Sequence, residues 1–134
     1  MKVFVSGLID KATRSDIKRF EDMVNYLRSQ GHVVISELDL NFPEVSRSSQ
    51  EIIDETDKDK KLVDWLLFLV YCQTMLIKCD ALFLVYKWEE SRSSCILYDV
   101  VEKLGMKIIE DNGDTLPLAN ENEMKAWFER KINN

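Results

Sequence analysis

One strongly apolar segment of the chain is followed directly by side chains that can bind or react. Residues 81–86 read Ala-Leu-Phe-Leu-Val-Tyr, a run typical of a strand buried on both faces. The aromatic, acidic and hydroxyl groups that follow are Trp88, Glu89, Glu90, Ser91, Ser93 and Ser94. A helical pattern then runs from Cys95 to Leu104, and Gly105 ends it. Because the N–H groups and the dipole at a helix start attract ligands, we expect a ligand site between residues 88 and 94.

A second group of candidate ligand contacts lies near the beginning of the chain. Residues 3–5 predict a short strand that stops at Ser6 and Gly7, where a glycine lets the backbone approach a ligand. Asp80, just before the buried strand, is either a ligand contact or a cap of the strand. The three loop serines hold a phosphate or a ribose, or they only cap the helix. The loop tryptophan either stacks on a base or covers the sheet edge.

The composition of the 134 residues disfavours several classes of protein. A net charge of −6 argues against binding to a nucleic-acid polymer or to a membrane surface. His32 is the only histidine and the three cysteines form no C-x-x-C motif, so we expect neither a metal nor another cofactor. We expect buried, reduced thiols and no apolar leader before Gly7, which together predict a cytoplasmic protein.

Apolar spacing predicts the elements that position these groups. The expected strands and helices lie, in chain order, at residues 3–5, 16–30, 32–36, 48–61, 62–78, 81–86, 95–104, 106–110 and 121–132. Ser15 is the expected N-cap of the first helix, and residues 37–47 are expected to be a loop. The alternation predicts a single α/β domain over residues 1–134, flavodoxin-like or Rossmann-like. Its parallel sheet has the order 2-1-3-4, with helices on both faces, and places Ser6 beside the loop at 88–94.

The helix expected at Leu62–Lys78 is apolar on more faces than one contact with a sheet requires. Its apolar run is also too short for a membrane span, and Asp64, Gln73 and Thr74 make it too polar. We therefore expect this helix to form an interface between copies of the chain in a homo-oligomer.

Five segments in the first 110 residues resemble motifs of a known family. They are residues 2–9 (Lys-Val-Phe-Val-Ser-Gly-Leu-Ile), 27–34, 79–84, 88–92 and 104–109. The fourth, Trp-Glu-Glu-Ser-Arg, is similar to the loop Gly-Trp-Glu-x-Ser-Arg-Gly-Ala that follows the third strand of nucleoside 2-deoxyribosyltransferase-like proteins. This family includes a small branch of phage and bacterial proteins. The resemblance implies a nucleoside or nucleotide as the small-molecule partner. It also implies cleavage or transfer of the N-glycosidic bond by a glutamate that attacks the sugar.

The positions of two acidic residues in the resembling enzymes carry other side chains here. Counting along the motifs places Leu97 at the attacking glutamate and Cys72 at the second acid. Weak candidates for a replacement are Glu89, Glu90 and Asp99. The first hypothesis is therefore a nucleotide- or nucleoside-binding protein without glycosidic chemistry. The alternatives are an active transferase or N-glycosidase that uses these acids, and an oligomeric interaction scaffold with a vestigial pocket.

Overall fold

A parallel four-stranded sheet forms the centre of the protein in a computed structural model, which describes residues 1–39, 41–42, 47–48 and 56–133. The strands of this sheet and of a separate two-stranded sheet are, in chain order, β1 (Lys2–Ser6), β2 (Val33–Ser36), β3 (Asn41–Phe42), β4 (Arg47–Ser48), β5 (Ala81–Leu84) and β6 (Lys107–Glu110). The short strands β3 and β4 form the two-stranded sheet. The helices are α1 (Arg14–Ser29), α2 (Lys58–Leu76), α3 (Arg92–Leu104) and α4 (Glu121–Ile132), with a 3-10 turn at Trp88–Glu90. The sheet order β2-β1-β5-β6 confirms the predicted order 2-1-3-4 and the α/β class.

Helices cover both faces of the sheet, so alternate residues of each strand enter two different cores. The core shared with α1 and α4 contains Val3, Val5, Phe20, Phe83 and Trp127. The core shared with α2 and α3 contains Phe4, Phe68, Leu82, Leu97 and Val101. Burial on both faces explains why the strands are continuous apolar runs and not alternating ones.

The first helix begins two residues before its expected position. Thr13 is the N-cap: its hydroxyl accepts the N–H of Asp16 at 3.1 Å, and the Asp16 carboxylate accepts the N–H of Thr13 at 2.9 Å. This reciprocal pair is a capping box, which satisfies two N–H groups at once. The prediction of Ser15 as the cap was therefore wrong, because the threonine two residues earlier has the acidic partner that a capping box requires.

The middle of the chain also differs from its prediction. Lys58 begins α2, and Asp57 caps it by accepting the N–H of Lys60 at 3.0 Å. Ser48 lies in β4, which pairs antiparallel with β3. The prediction of a loop was therefore wrong at residues 41–42 and 47, and the prediction of a helix was wrong at residue 48. Strands of two residues are too short to produce a readable hydrophobic period. Residues 49–55, also expected to be helical, lie outside the described part of the chain.

Within the described residues, no helix is both long enough and apolar enough to cross a bilayer.

A buried ion pair joins α1 to the end of β6. The Arg19 guanidinium lies 2.6 and 2.5 Å from the two carboxylate oxygens of Asp111, whose side chain is fully buried. Asp111 also accepts the N–H groups of Tyr86 and Gly113. Gly113 has a φ of 89°, and a Cβ there would lie 2.5 Å from the Tyr86 ring. The pair therefore holds the loops after β5 and β6 against α1.

We expect Asp111→Asn to lower the free energy of unfolding by about 3 kcal/mol, because Arg19 would keep its charge in a mostly buried place without a counter-ion. Urea denaturation measures this loss. Asp22→Asn is the matched control, since Asp22 pairs at 2.8 Å with Lys18 in an exposed i,i+4 bridge. We expect the control to change stability by less than ~0.5 kcal/mol. Equal losses in the two variants would contradict the role of the buried pair.

Candidate functional site

A pocket of about 460 Å³ opens where β1 and β5 end and α3 begins. One side consists of Ser91, Arg92 and Ser93 from the start of α3, and another of Leu62 and Trp65 from α2. The remaining lining residues are Leu8, Ile9, Asp10, Lys11, Lys58 and Glu90. The volume suits a small organic molecule. The position between β1 and β5 is the switch point of the sheet, where open α/β folds hold ligands.

The first turn of α3 lines this pocket. Ser91 caps the helix, and its hydroxyl accepts the N–H of Ser94 at 3.2 Å. The N–H groups of Arg92 and Ser93 stand at positions that have no partner within a helix. They add to the positive end of the helix dipole, and the Arg92 side chain is exposed beside them. This end of the pocket therefore favours negative charge.

A fully buried carboxylate lies behind the serines of the pocket. Glu37, the first residue after β2, accepts the hydroxyl of Ser6 on one oxygen and that of Ser93 on the other, the latter at 3.0 Å. The hydroxyls of Ser94 and Ser6 are 2.7 Å apart, and those of Ser91 and Ser93 are 3.0 Å apart. One network thus connects β1, β2 and the start of α3 to the pocket.

Burial raises the pKa of Glu37 to about 7, although the hydrogen bonds from Ser6 and Ser93 favour the ionised form and lower it in part. Burial and the charge of Glu37 also raise the pKa of the Cys72 thiol on α2. Cys72 is therefore a neutral buried thiol and has none of the thiolate character of a nucleophile. Strongly shifted carboxyl groups next to a pocket are common at functional sites.

Glu37 was expected to lie in a loop and was not among the predicted site residues. A signal was present, because the residue directly follows an apolar strand. The predicted order 2-1-3-4 sets that strand beside the one ending at Ser6, so the two chain ends meet at one edge of the sheet. What the spacing could not show is that Ser93, 56 positions further along the chain, would come to hydrogen-bond the carboxylate.

Five of the residues expected at the site gather around the pocket. Glu90, Ser91 and Ser93 line it. Ser6 and Ser94 lie behind it, fully buried in the hydrogen-bond network. Of the serines at the start of α3, Ser91 both caps the helix and lines the pocket.

Three other expected contacts lie elsewhere. A Cβ at Gly7 would lie 3.0 Å from the Phe20 ring and from Val85, so the core leaves little room for a side chain there. Asp80 directly precedes β5, so it lies at the amino ends of the strands, away from the pocket at their carboxyl ends. Its carboxylate accepts the N–H of Lys2 at 2.8 Å. The Trp88 ring stacks on Tyr98 with centroids 5.1 Å apart.

The remaining acidic candidates are exposed on the surface. Glu89 follows Trp88 in the 3-10 turn and Asp99 lies on the outer face of α3, and neither lines the pocket. Leu97, on the inner face of the same helix, is fully buried in the core with Phe4 and Phe68. Its environment is that of a core leucine.

In residues 1–39, 41–42, 47–48 and 56–133, no group of three or more His, Cys, Asp or Glu side chains could hold a metal ion. Cys72 and Cys79 are buried free thiols, and Cys95 is a partly exposed one.

The fold and the pocket define an α/β protein with a candidate ligand site at the switch point of its sheet. The model of one family, described as a domain of unknown function (DUF4406), matches residues 1–110, and the chain therefore belongs to this family. The matched region contains every lining residue of the pocket and also Glu37. No curated protein and no solved structure matches the chain.

Replacing Glu37 by glutamine should change how stability depends on pH. An unfolded glutamate has a pKa of about 4.3, and the folded one is raised to about 7. Between these values the folded protein binds the proton more strongly, so this group's contribution to stability falls as the pH rises through the window. We expect the unfolding free energy of wild type minus that of Glu37→Gln to fall by on the order of 3 kcal/mol from pH 4.5 to 8.

Urea denaturation at several pH values measures this difference. Glu102→Gln provides the control, because Glu102 is an exposed glutamate on α3 and should give a profile parallel to that of wild type. Parallel profiles for Glu37→Gln and wild type would show that the folded pKa of Glu37 is not raised.

Proposed function

We propose that the protein binds a nucleotide or nucleoside in the pocket at the start of α3. The observation that carries this proposal is that two unlike kinds of group line the pocket, donors and cations on the one hand and apolar side chains on the other. Arg92 and the first N–H groups of α3 suit a phosphate, since both are donors and both favour negative charge. Trp65 and Leu62 form an apolar wall on which a base can lie.

The charges of the lining residues support the same assignment. Arg92, Lys11 and Lys58 are cationic, whereas Asp10 and Glu90 are acidic. The chain as a whole has a net charge of −6, so a lining with more cations than acids is a local departure from the acidic surface. Such a departure attracts a small anion by local charge while the overall charge repels nucleic-acid polymers.

The motifs of nucleoside 2-deoxyribosyltransferase-like proteins support binding over catalysis. The residues that resemble this family include Ser91, Arg92 and the loop before them, which form one side of the pocket. The position of the attacking glutamate is the core residue Leu97. The free thiols of the chain support a reducing, cytoplasmic location.

Deoxynucleoside monophosphates should raise the melting temperature of the protein and bind measurably by calorimetry. Arg92→Ala should weaken monophosphate binding by roughly 10- to 100-fold, since a hydrogen bond to a charged group contributes about 1.5–3 kcal/mol. It should affect the matching nucleoside much less. Arg130→Ala, a change to an exposed arginine on α4, is the control and should leave both affinities unchanged. No stabilisation by any nucleoside or nucleotide would contradict the proposal and favour a scaffold role.

A second candidate function is cleavage of the glycosidic bond, and the observation that favours it is the carboxylate of Glu90 in the lining of the pocket. The same incubations, analysed for free base, distinguish the two functions. Release of base that Glu90→Gln abolishes would establish the enzyme. We expect intact ligand, because a carboxylate nucleophile at the position of Leu97 is absent from this sequence.

We also propose that the outer face of α2 packs against a second copy of the chain. Leu62, Val63, Leu66, Val70 and Ile77 are each 54–60% exposed, and together they form an uncharged stripe along the helix and its C-cap. An apolar surface of this extent on an otherwise charged protein is typical of an interface.

The ends of α2 favour an antiparallel pairing of the two helices. The last turn contains no basic residue that would offset the partial negative charge of its carbonyl end. In an antiparallel pair the partly positive start of each helix points toward the carbonyl end of the other, whereas a parallel pair would set like ends together. This arrangement has two-fold symmetry and places Val70 near the axis.

Val70→Lys should therefore convert a dimer to a monomer, because two buried lysines would meet at the axis without counter-ions. Sedimentation velocity at micromolar protein measures the mass. Asn25→Lys, which adds the same charge at an exposed position of α1, should remain dimeric. A wild-type protein that sediments as a monomer would refute the interface.

A further inference from the structure

The buried carboxylate fixes the direction of four hydroxyl protons. Ser6 and Ser93 each have one hydroxyl proton, and each donates it to an oxygen of ionised Glu37. These two hydroxyls can then only accept from their serine neighbours. Ser94 therefore donates to Ser6 across 2.7 Å, and Ser91 donates to Ser93 across 3.0 Å. All four protons point along the network toward Glu37.

The pocket is left with hydroxyl oxygens that accept but do not donate. Ser91 accepts the N–H of Ser94 at 3.2 Å and gives its proton to Ser93, so one lone pair remains on its oxygen. Ser93 accepts from Ser91 and gives its proton to Glu37, which again leaves one lone pair. A phosphate oxygen is itself an acceptor and finds no partner here. A hydroxyl group of a sugar can donate to either oxygen.

We propose that Glu37 is a positioning residue that makes the serines of the pocket an acceptor surface, and that a sugar hydroxyl of the ligand donates to it. This inference rests on the proposed nucleotide or nucleoside function and assigns the two parts of that ligand. The sugar lies on Ser91 and Ser93. The phosphate, when present, binds the N–H groups of α3 and the Arg92 guanidinium, and not the hydroxyls.

Protonation of Glu37 changes this surface. A protonated carboxyl donates through one oxygen, and the serine facing that oxygen becomes its acceptor. When the proton lies on the oxygen facing Ser93, the Ser93 proton is released toward the pocket, which then offers a donor. The titratable neighbour of Glu37 among the described residues of α2 is Cys72, a neutral thiol, and the neighbours from β1 and α3 are serines.

Neutron diffraction from a deuterated crystal at pD 8.5 tests the proton directions without any ligand. We expect the deuterons of Ser6 and Ser93 to point at Glu37 and that of Ser91 to point at Ser93. In Glu37→Gln the amide donates to one serine, whose deuteron should turn away. A Ser93 deuteron that points into the pocket of the wild-type protein at this pD would overturn the inference.

Calorimetry with matched nucleosides tests the ligand group. At pH 8.5 deoxyadenosine should bind roughly tenfold or more tightly than one of its analogues lacking a sugar hydroxyl, 2′,3′-dideoxyadenosine or 2′,5′-dideoxyadenosine, because the missing donor leaves an acceptor of the pocket unpaired. Glu102→Gln should keep the wild-type ratio. A wild-type ratio near one at pH 8.5 would overturn the inference.

Failure of the inference can be told from failure of the proposed function. If nucleosides bind equally well with and without their sugar hydroxyls, the proposed function is supported and the role assigned to Glu37 is contradicted. If no nucleoside or nucleotide binds, the function falls, the sugar assignment falls with it, and the deuteron positions decide whether Glu37 orients the serines.

Discussion

The buried carboxylate of Glu37 is the constraint on which the site depends. Transfer of an ionised carboxyl group into a protein interior costs several kcal/mol unless hydrogen bonds replace its water. The replacements include the hydroxyls of Ser6 at the end of β1 and of Ser93 in the first turn of α3. A displacement of α3 relative to the sheet would stretch the hydrogen bond from Ser93. The carboxylate therefore holds the start of α3 above the end of β1, and the pocket exists because both are held there.

Much of the fold could be predicted from the sequence, because apolar runs and helical spacing are local signals. Residues 81–86 predicted a strand buried on both faces, and the alternation of strands and helices predicted the sheet order. The capping box of Thr13 was local too, but a serine nearby offered a competing cap. The burial of Glu37 could not be predicted from such local signals. Whether a glutamate is buried depends on hydroxyls that distant segments supply, and single-sequence patterns do not contain that information.

The two helical layers differ in what they present to their surroundings. Outside α1 the surface is charged, with the Lys18–Asp22 bridge exposed and the Arg19–Asp111 pair beneath it. Outside α2 the surface is apolar, and Leu62 belongs both to that surface and to the pocket wall. The proposed dimer interface and the proposed ligand site therefore meet at one side chain. Occupancy of one should influence the other, and reciprocally, because the same leucine packs against both.

The central place of β1 has a consequence for the order in which the protein folds during synthesis. Val3 pairs with Val34 of β2 and with Ala81 of β5, so β1 leaves the ribosome well before the strand that completes its ladder. At 5–20 residues per second, the 78 positions between Val3 and Ala81 correspond to roughly 4–16 seconds. Through that interval one edge of β1 has no partner strand, and such an edge can pair with another nascent chain. Contacts this distant in sequence also slow folding compared with a helical bundle of similar size.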